Sequence, residues 1–175
     1  MIQSLTIYRL TKSRKKRPIP KDWATSEVIE KFGVASASEP LYPGSSSIAL
    51  DEAGQLVIVG GSDGVAGVYS IPDNKLQQSF KAVGAITDSV WYGNQPVVST
   101  SAGTVKVFGE QEATFTSHAG NANALALHPS GEILASVGVD KSFVFYDLPG
   151  GKAVTQIYAD SGMIKHFRID HAIPY

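Results

Sequence analysis

The chain has 175 residues, 43% of them apolar, and a formal net charge of −1 at pH 7. That apolar share supports one sizeable buried core, and the near-zero charge excludes a strong general attraction to nucleic acid or membrane. The absence of cysteine excludes disulfides and thiol chemistry and makes an intracellular setting the easier reading. No apolar run approaches the roughly 20 residues needed to cross a bilayer, and Met1 to Leu10 lacks the apolar core of a signal peptide.

Met1 to Leu10 alternates weakly and fits a strand or a loop equally well. Lys12, Arg14, Lys15, Lys16 and Arg17 then crowd into one short run, KSRKKR. Such a run repels itself and stays solvated. It reads either as a charged linker or as a nuclear import tag or nucleic-acid contact. Pro18 and Pro20 disfavour helix locally. After Trp23, Thr25 or Ser26 can cap a short helix, with Glu27 in its first turn and Gly33 as its stop. Val28, Ile29 and Phe32 would share one face of it. Ala35 to Ser47 is small, polar and Pro-containing, and reads as loop.

From residue 46 the chain breaks into short apolar runs rich in Val, Ile, Phe and Tyr, bounded by Gly, Pro, Asp and Ser. These are strand signals. The first four strands are expected at Ser46–Leu50, Gln55–Gly60, Val65–Ser70 and Lys75–Phe80. The next four fall at Ala85–Trp91, Pro96–Thr100, Thr104–Phe108 and Glu112–Thr116. The last four fall at Ala122–Leu127, Ile133–Val139, Ser142–Leu148 and Ala153–Ala159. Tight turns such as Ser62-Asp63-Gly64 join them. Tyr69, Phe108 and Tyr146 end the third strand of each group and are 39 and 38 residues apart (108 − 69, 146 − 108). Gly54, Gly93 and Gly131 in the first turns keep the same spacings, as do Asp63, Ala102 and Asp140 in the second. A period near forty with four strands per unit is that of a β-propeller blade.

The expected fold is therefore all-β, an incomplete β-propeller of about three four-stranded blades with a short N-terminal helix and irregular tails. The expected division is a basic, Pro-containing linker over 1–45, three blades over 46–159 and an irregular tail over 160–175. Three blades cannot close a ring. Repeat units draw their stability from neighbours, so a chain of this kind on its own is expected to be aggregation-prone or partly molten.

The third unit carries His118 before its first strand, Ser136 in its second, Asp140 in its second turn and Tyr146 in its third. These landmarks resemble those of the WD-repeat family, with Tyr in place of the usual Trp. The resemblance implies that the four side chains form a buried hydrogen-bonded set tying the strands together. Ala102 stands at the Asp position of the second unit, and neither earlier unit has the His. Both should then depend on β pairing and apolar packing. The lead-in KKRPIPKDW, followed by VASASEPLYPGSSSIAL and VIVGGSDGVAGVYSI, is more diagnostic. It resembles the family of spliceosomal U-box ubiquitin ligases, pre-mRNA-processing factor nineteen. Members of that family carry a U-box and a tetramerising coiled coil before a seven-bladed propeller. This chain looks like the linker and first three blades, a fragment.

The resemblance implies a nuclear protein-interaction module, binding protein partners of a spliceosome-associated complex, with RNA close by and no membrane. In the full-length family the homotetramer forms through the coiled coil. Ubiquitin conjugation and DNA repair are the family's wider setting. Two alternatives stand beside this reading: a general WD scaffold unrelated to splicing, and a ubiquitin-protein transferase by family descent. From the residues themselves no catalytic, cofactor or metal site is expected. His128 reads as structural in a His-Pro turn. His166, Asp170 and His171 match no strong metal-binding spacing. Ser45, Ser46 and Ser47 read as a solvated turn. Gly60 to Gly67 reads as a hairpin, since a phosphate cradle needs a following helix.

Overall fold

The computed structural model describes residues 4–8, 34–40, 44–159 and 169. The expected helix near Glu27, the basic run and nearly all of the 160–175 tail lie outside these residues. So do the candidate ligands His166, Asp170 and His171.

Strand β1 (Ser4–Tyr8) pairs antiparallel with β2 (Val34–Pro40). The second of these corrects the loop expected over Ala35 to Ser47. Small polar residues carry little strand propensity, but a paired backbone satisfies its own hydrogen bonds whatever the side chains.

The rest of the described chain forms three antiparallel meanders of four strands each. Blade I is β3 (Ser45–Leu50), β4 (Leu56–Gly61), β5 (Val65–Ser70) and β6 (Lys75–Lys81). Blade II is β7 (Ile86–Tyr92), β8 (Gln95–Thr100), β9 (Thr104–Val107) and β10 (Ala113–Thr116). Blade III is β11 (Ala122–Leu127), β12 (Ile133–Gly138), β13 (Ser142–Asp147) and β14 (Lys152–Tyr158). Each strand end lies within a residue or so of its expected place, because the turn residues that mark the ends act locally.

The first strands sit side by side, β3 against β7 and β7 against β11. The blades therefore stack as neighbours in an arc, with β6, β10 and β14 at its outer edge. Alternation along each strand sends one set of side chains to each neighbour. Ile58, Ala66 and Val68 of blade I meet Val98 and Phe108 of blade II. Val97, Val105 and Val107 of blade II meet Leu134, Val144 and Tyr146 of blade III. One aromatic contact recurs. Phe80 on β6 stacks on Phe108 at 4.6 Å, and Phe115 on β10 packs on Tyr146 at 4.8 Å. Such a pair adds about 0.5–1.5 kcal/mol beyond the area it buries. The register puts Ile157 of β14 at the matching place in blade III, where it is half exposed.

A second tie between blades comes from a bulge near the start of each first strand. The bulge turns one side chain toward the next blade. Ser46 Oγ donates to Ile86 O, and Thr87 Oγ1 donates to Ala122 O. Ser46, which reads from sequence as part of a solvated turn, is instead one of these bolts. Trp91 Nε1 adds a 3.0 Å bond back to Ala49 O, and Asp88 Oδ2 accepts the Leu125 amide at 2.8 Å.

The outer strands differ in how they protect their free edges. β6 carries Lys75 and Lys81 at its ends, and β10 has four residues. β14 runs KAVTQIY with every residue exposed, including Val154, Ile157 and Tyr158. A long edge with little charge is a template for another strand. Val154→Lys is expected to slow concentration-dependent light scattering several-fold while leaving circular dichroism unchanged. Unaltered scattering would show that association uses another surface.

Candidate functional site

Two features of the described residues carry polar chemistry: a buried network inside blade III, and a cleft across one rim of the arc.

The network begins at His118, which enters blade III from β10 and is fixed by its amide, donating to Gly103 O at 3.2 Å. Its ring is fully enclosed. Nε2 lies 2.6 Å from Ser136 Oγ, and Ser136 Oγ lies 2.8 Å from the Tyr146 hydroxyl. Nδ1 lies 2.9 Å from Ser142 Oγ and 3.1 Å from Asp140 Oδ1. Asp140 also accepts the Ala119 amide at 2.9 Å and the Ser142 hydroxyl at 2.8 Å. One proton arrangement satisfies every member. Tyr146 donates to Ser136, Ser136 donates to Nε2, and Nδ1–H donates toward Asp140, the acceptor at the end of the chain. Ser142 was not singled out from sequence. Its signal was Asp-x-Ser in a turn, where the carboxylate takes the amide two residues on, here at 3.2 Å.

Burial by itself raises the Asp140 pKa. Donation from the Ala119 amide, the Ser142 hydroxyl and His118 outweighs it and holds the carboxyl at about 2 against an ordinary 3.8. Burial pushes the Tyr146 hydroxyl up. A carboxyl held below its unfolded value stabilises the fold above pH 4, and that contribution is lost as pH falls from about 4 to about 2. The contribution is on the order of 2 kcal/mol. Asp140→Asn should therefore flatten the acid limb of the stability curve in that window. An identical limb in urea titrations of both proteins would exclude Asp140 as its source.

Blade II rewrites the network in apolar residues. Pairing register puts Val98 where blade III has Ser136, and Phe108 where it has Tyr146. Ala82 donates its amide to Gly64 O as His118 does to Gly103 O, and so fills the His position. With Ala102 in the Asp position, all four members are replaced together. Removing every partner leaves no buried group unpaired, which a partial replacement would do. In blade I, Val59 fills the Ser position, and Asp63 accepts the Val65 amide of its own turn at 3.0 Å.

The cleft lies where the first strands end, at the turns that lead into β4, β8 and β12. It has a volume of about 830 Å³. Leu50, Trp91, Tyr92, Leu127 and Ile169 line it, with Glu52, His128 and Glu132 from the turns. His128 Nδ1 accepts the Ser130 amide at 3.1 Å, which closes its own turn. Nothing in the sequence signalled this cleft, because its lining comes from three units about forty residues apart and from Ile169 beyond them.

Residues 109–147, which hold most of blade III and its network, match the WD domain, G-beta repeat. The match falls on one of the three blades. The chain is similar to pre-mRNA-processing factor 19 homolog 2 of Arabidopsis thaliana, 27% identical over 166 residues. It is also similar to pre-mRNA-processing factor 19 of Oryza sativa subsp. japonica, 25% identical over 167 residues. Both alignments cover 87% of this chain but only 31% and 32% of the relatives, so it spans about a third of their length. The three blades form an incomplete WD-type propeller, all-β throughout the described residues.

Proposed function

We propose that this chain is a protein-docking module of a nuclear pre-mRNA splicing assembly. Similarity to pre-mRNA-processing factor 19 along 87% of the chain carries this reading. The blades supply the physical means: rigid meanders that present turns at the rims, where partners can be read by shape and charge. Within blade III the network residues His118, Ser136, Asp140 and Tyr146 serve one another. Their proposed role is structural, to hold the second turn and the strands in register. We assign ubiquitin transfer, if the larger protein performs it, to residues outside these blades. The basic run Lys12, Arg14, Lys15, Lys16 and Arg17 would direct the chain to the nucleus or lie near RNA.

The tagged full chain, added to nuclear extract, is expected to co-purify with splicing proteins and spliceosomal RNA. Copies carrying an unfolding substitution in blade III should lose them. Recovery of neither from extract would overturn the proposal. The chain should also leave a ubiquitin-loaded conjugating enzyme undischarged, and acceleration of that discharge would restore the transferase reading.

A further inference from the structure

We infer that the cleft across the first turns takes a peptide segment in which arginine or lysine alternates with aliphatic side chains. This rests on the docking reading above and names the partner chemistry at one surface.

Its floor is apolar and already rigid. Trp91 is held by its Nε1 bond to Ala49 O, and its ring is largely buried against blade I. Leu50 ends β3 and is 61% exposed, so it offers apolar surface to the cleft. The rim is acidic. Glu52 and Glu132 are exposed, stand on the turns of blades I and III, and are in no ion pair among the described residues. Among the described residues, no lysine or arginine lines the cleft. An acidic ligand would meet two like charges there, and a purely apolar one would leave both carboxylates beside a desolvating surface. A basic–aliphatic segment satisfies floor and rim together. The volume is in the range that encloses several side chains rather than one. The turns of all three blades contribute, so the site depends on their stacking and not on any one unit.

The test uses the full chain and fluorescein-labelled twelve-residue peptides of alternating Arg-Leu, Arg-Ser and Glu-Leu, read by fluorescence polarisation. Saturable binding of Arg-Leu, at least about tenfold tighter than of either other peptide, is expected. The Glu52→Lys/Glu132→Lys protein should lose at least about tenfold for Arg-Leu, since both carboxylates reverse sign. Both residues are exposed, so this protein should fold, and an unchanged circular dichroism spectrum checks it. Glu110→Lys, on an exposed turn outside the cleft, should bind as the parent does. Equal binding of Arg-Ser or Glu-Leu, or unchanged Arg-Leu binding after the double reversal, overturns the inference. If that occurs while the chain still co-purifies with splicing proteins, the docking reading stands and only this surface is wrong.

Discussion

His118→Ala is expected to destabilise the chain by about 3 kcal/mol, measured by urea denaturation followed with far-UV circular dichroism. The ring bridges two halves of the network, so its loss strands groups on both sides. Ser136 and the Tyr146 hydroxyl lose their route to an acceptor, and Asp140 loses one of the donors that keep its carboxyl ionised. The sharper result concerns the combination. His118→Ala, Ser136→Val, Asp140→Ala and Tyr146→Phe together reproduce the apolar set that blade II already uses. The quadruple protein should cost less than the sum of the four single changes by about 3 kcal/mol. Each single change leaves buried polar atoms unpaired, whereas the full set removes donors and acceptors alike. Strict additivity would mean that the four side chains act independently. The separations of 2.6 to 3.1 Å among them would then contribute nothing as a unit.

Gly103→Ala should be as damaging, for a backbone reason. Gly103 has φ +80, which an L side chain adopts only at a cost. A Cβ there would lie 2.2 Å from His118 O and 2.6 Å from Gly120 O. Both are backbone atoms of the segment entering blade III, so relief requires moving that segment and the network it anchors. A loss of about 3 kcal/mol or more is expected. Gly64 is the matching residue of blade I, with φ +81 and the Ala82 and Gly84 carbonyls against it. Blade III has Lys141 at the same place with φ 63. Its carbonyl accepts the Ala159 amide as Gly103 O accepts that of His118. Lys141→Gly should therefore be neutral or stabilising by up to about 1 kcal/mol, since the left-handed conformation is relieved. A Gly103→Ala chain as stable as the parent would show that the blade II–III junction yields easily. A Lys141→Gly chain that loses stability would mean the lysine side chain holds a contact outweighing its backbone strain.

The strands were legible because their signals are short-range. A turn such as Ser62-Asp63-Gly64 or His128-Pro129-Ser130-Gly131 stops a strand through residues adjacent in sequence, and the forty-residue period repeats those stops. His118, Ser136, Asp140 and Tyr146 could be picked out as one group because each sits at a fixed offset from a strand end. Ser142 was overlooked because its hydroxyl matters only once His118 arrives from the previous outer strand. The sequence VASASEP of β2 carries no strand signal of its own, and only pairing with β1 makes it a strand.

Sequence by itself determined the unit: a four-stranded meander, its turns, its apolar alternation and the residues that can hydrogen-bond within it. These follow from local backbone preference and a period of two, which neighbours in the chain impose. Tertiary structure alone decided what the units do to one another. It made Ser46 and Thr87 bolts between blades, set Phe80 on Phe108, brought Glu52 and Glu132 to one cleft, and left β14 as the exposed edge. Those relations join residues some 28 to 80 positions apart, and no pattern along the chain encodes a distance that only stacking creates.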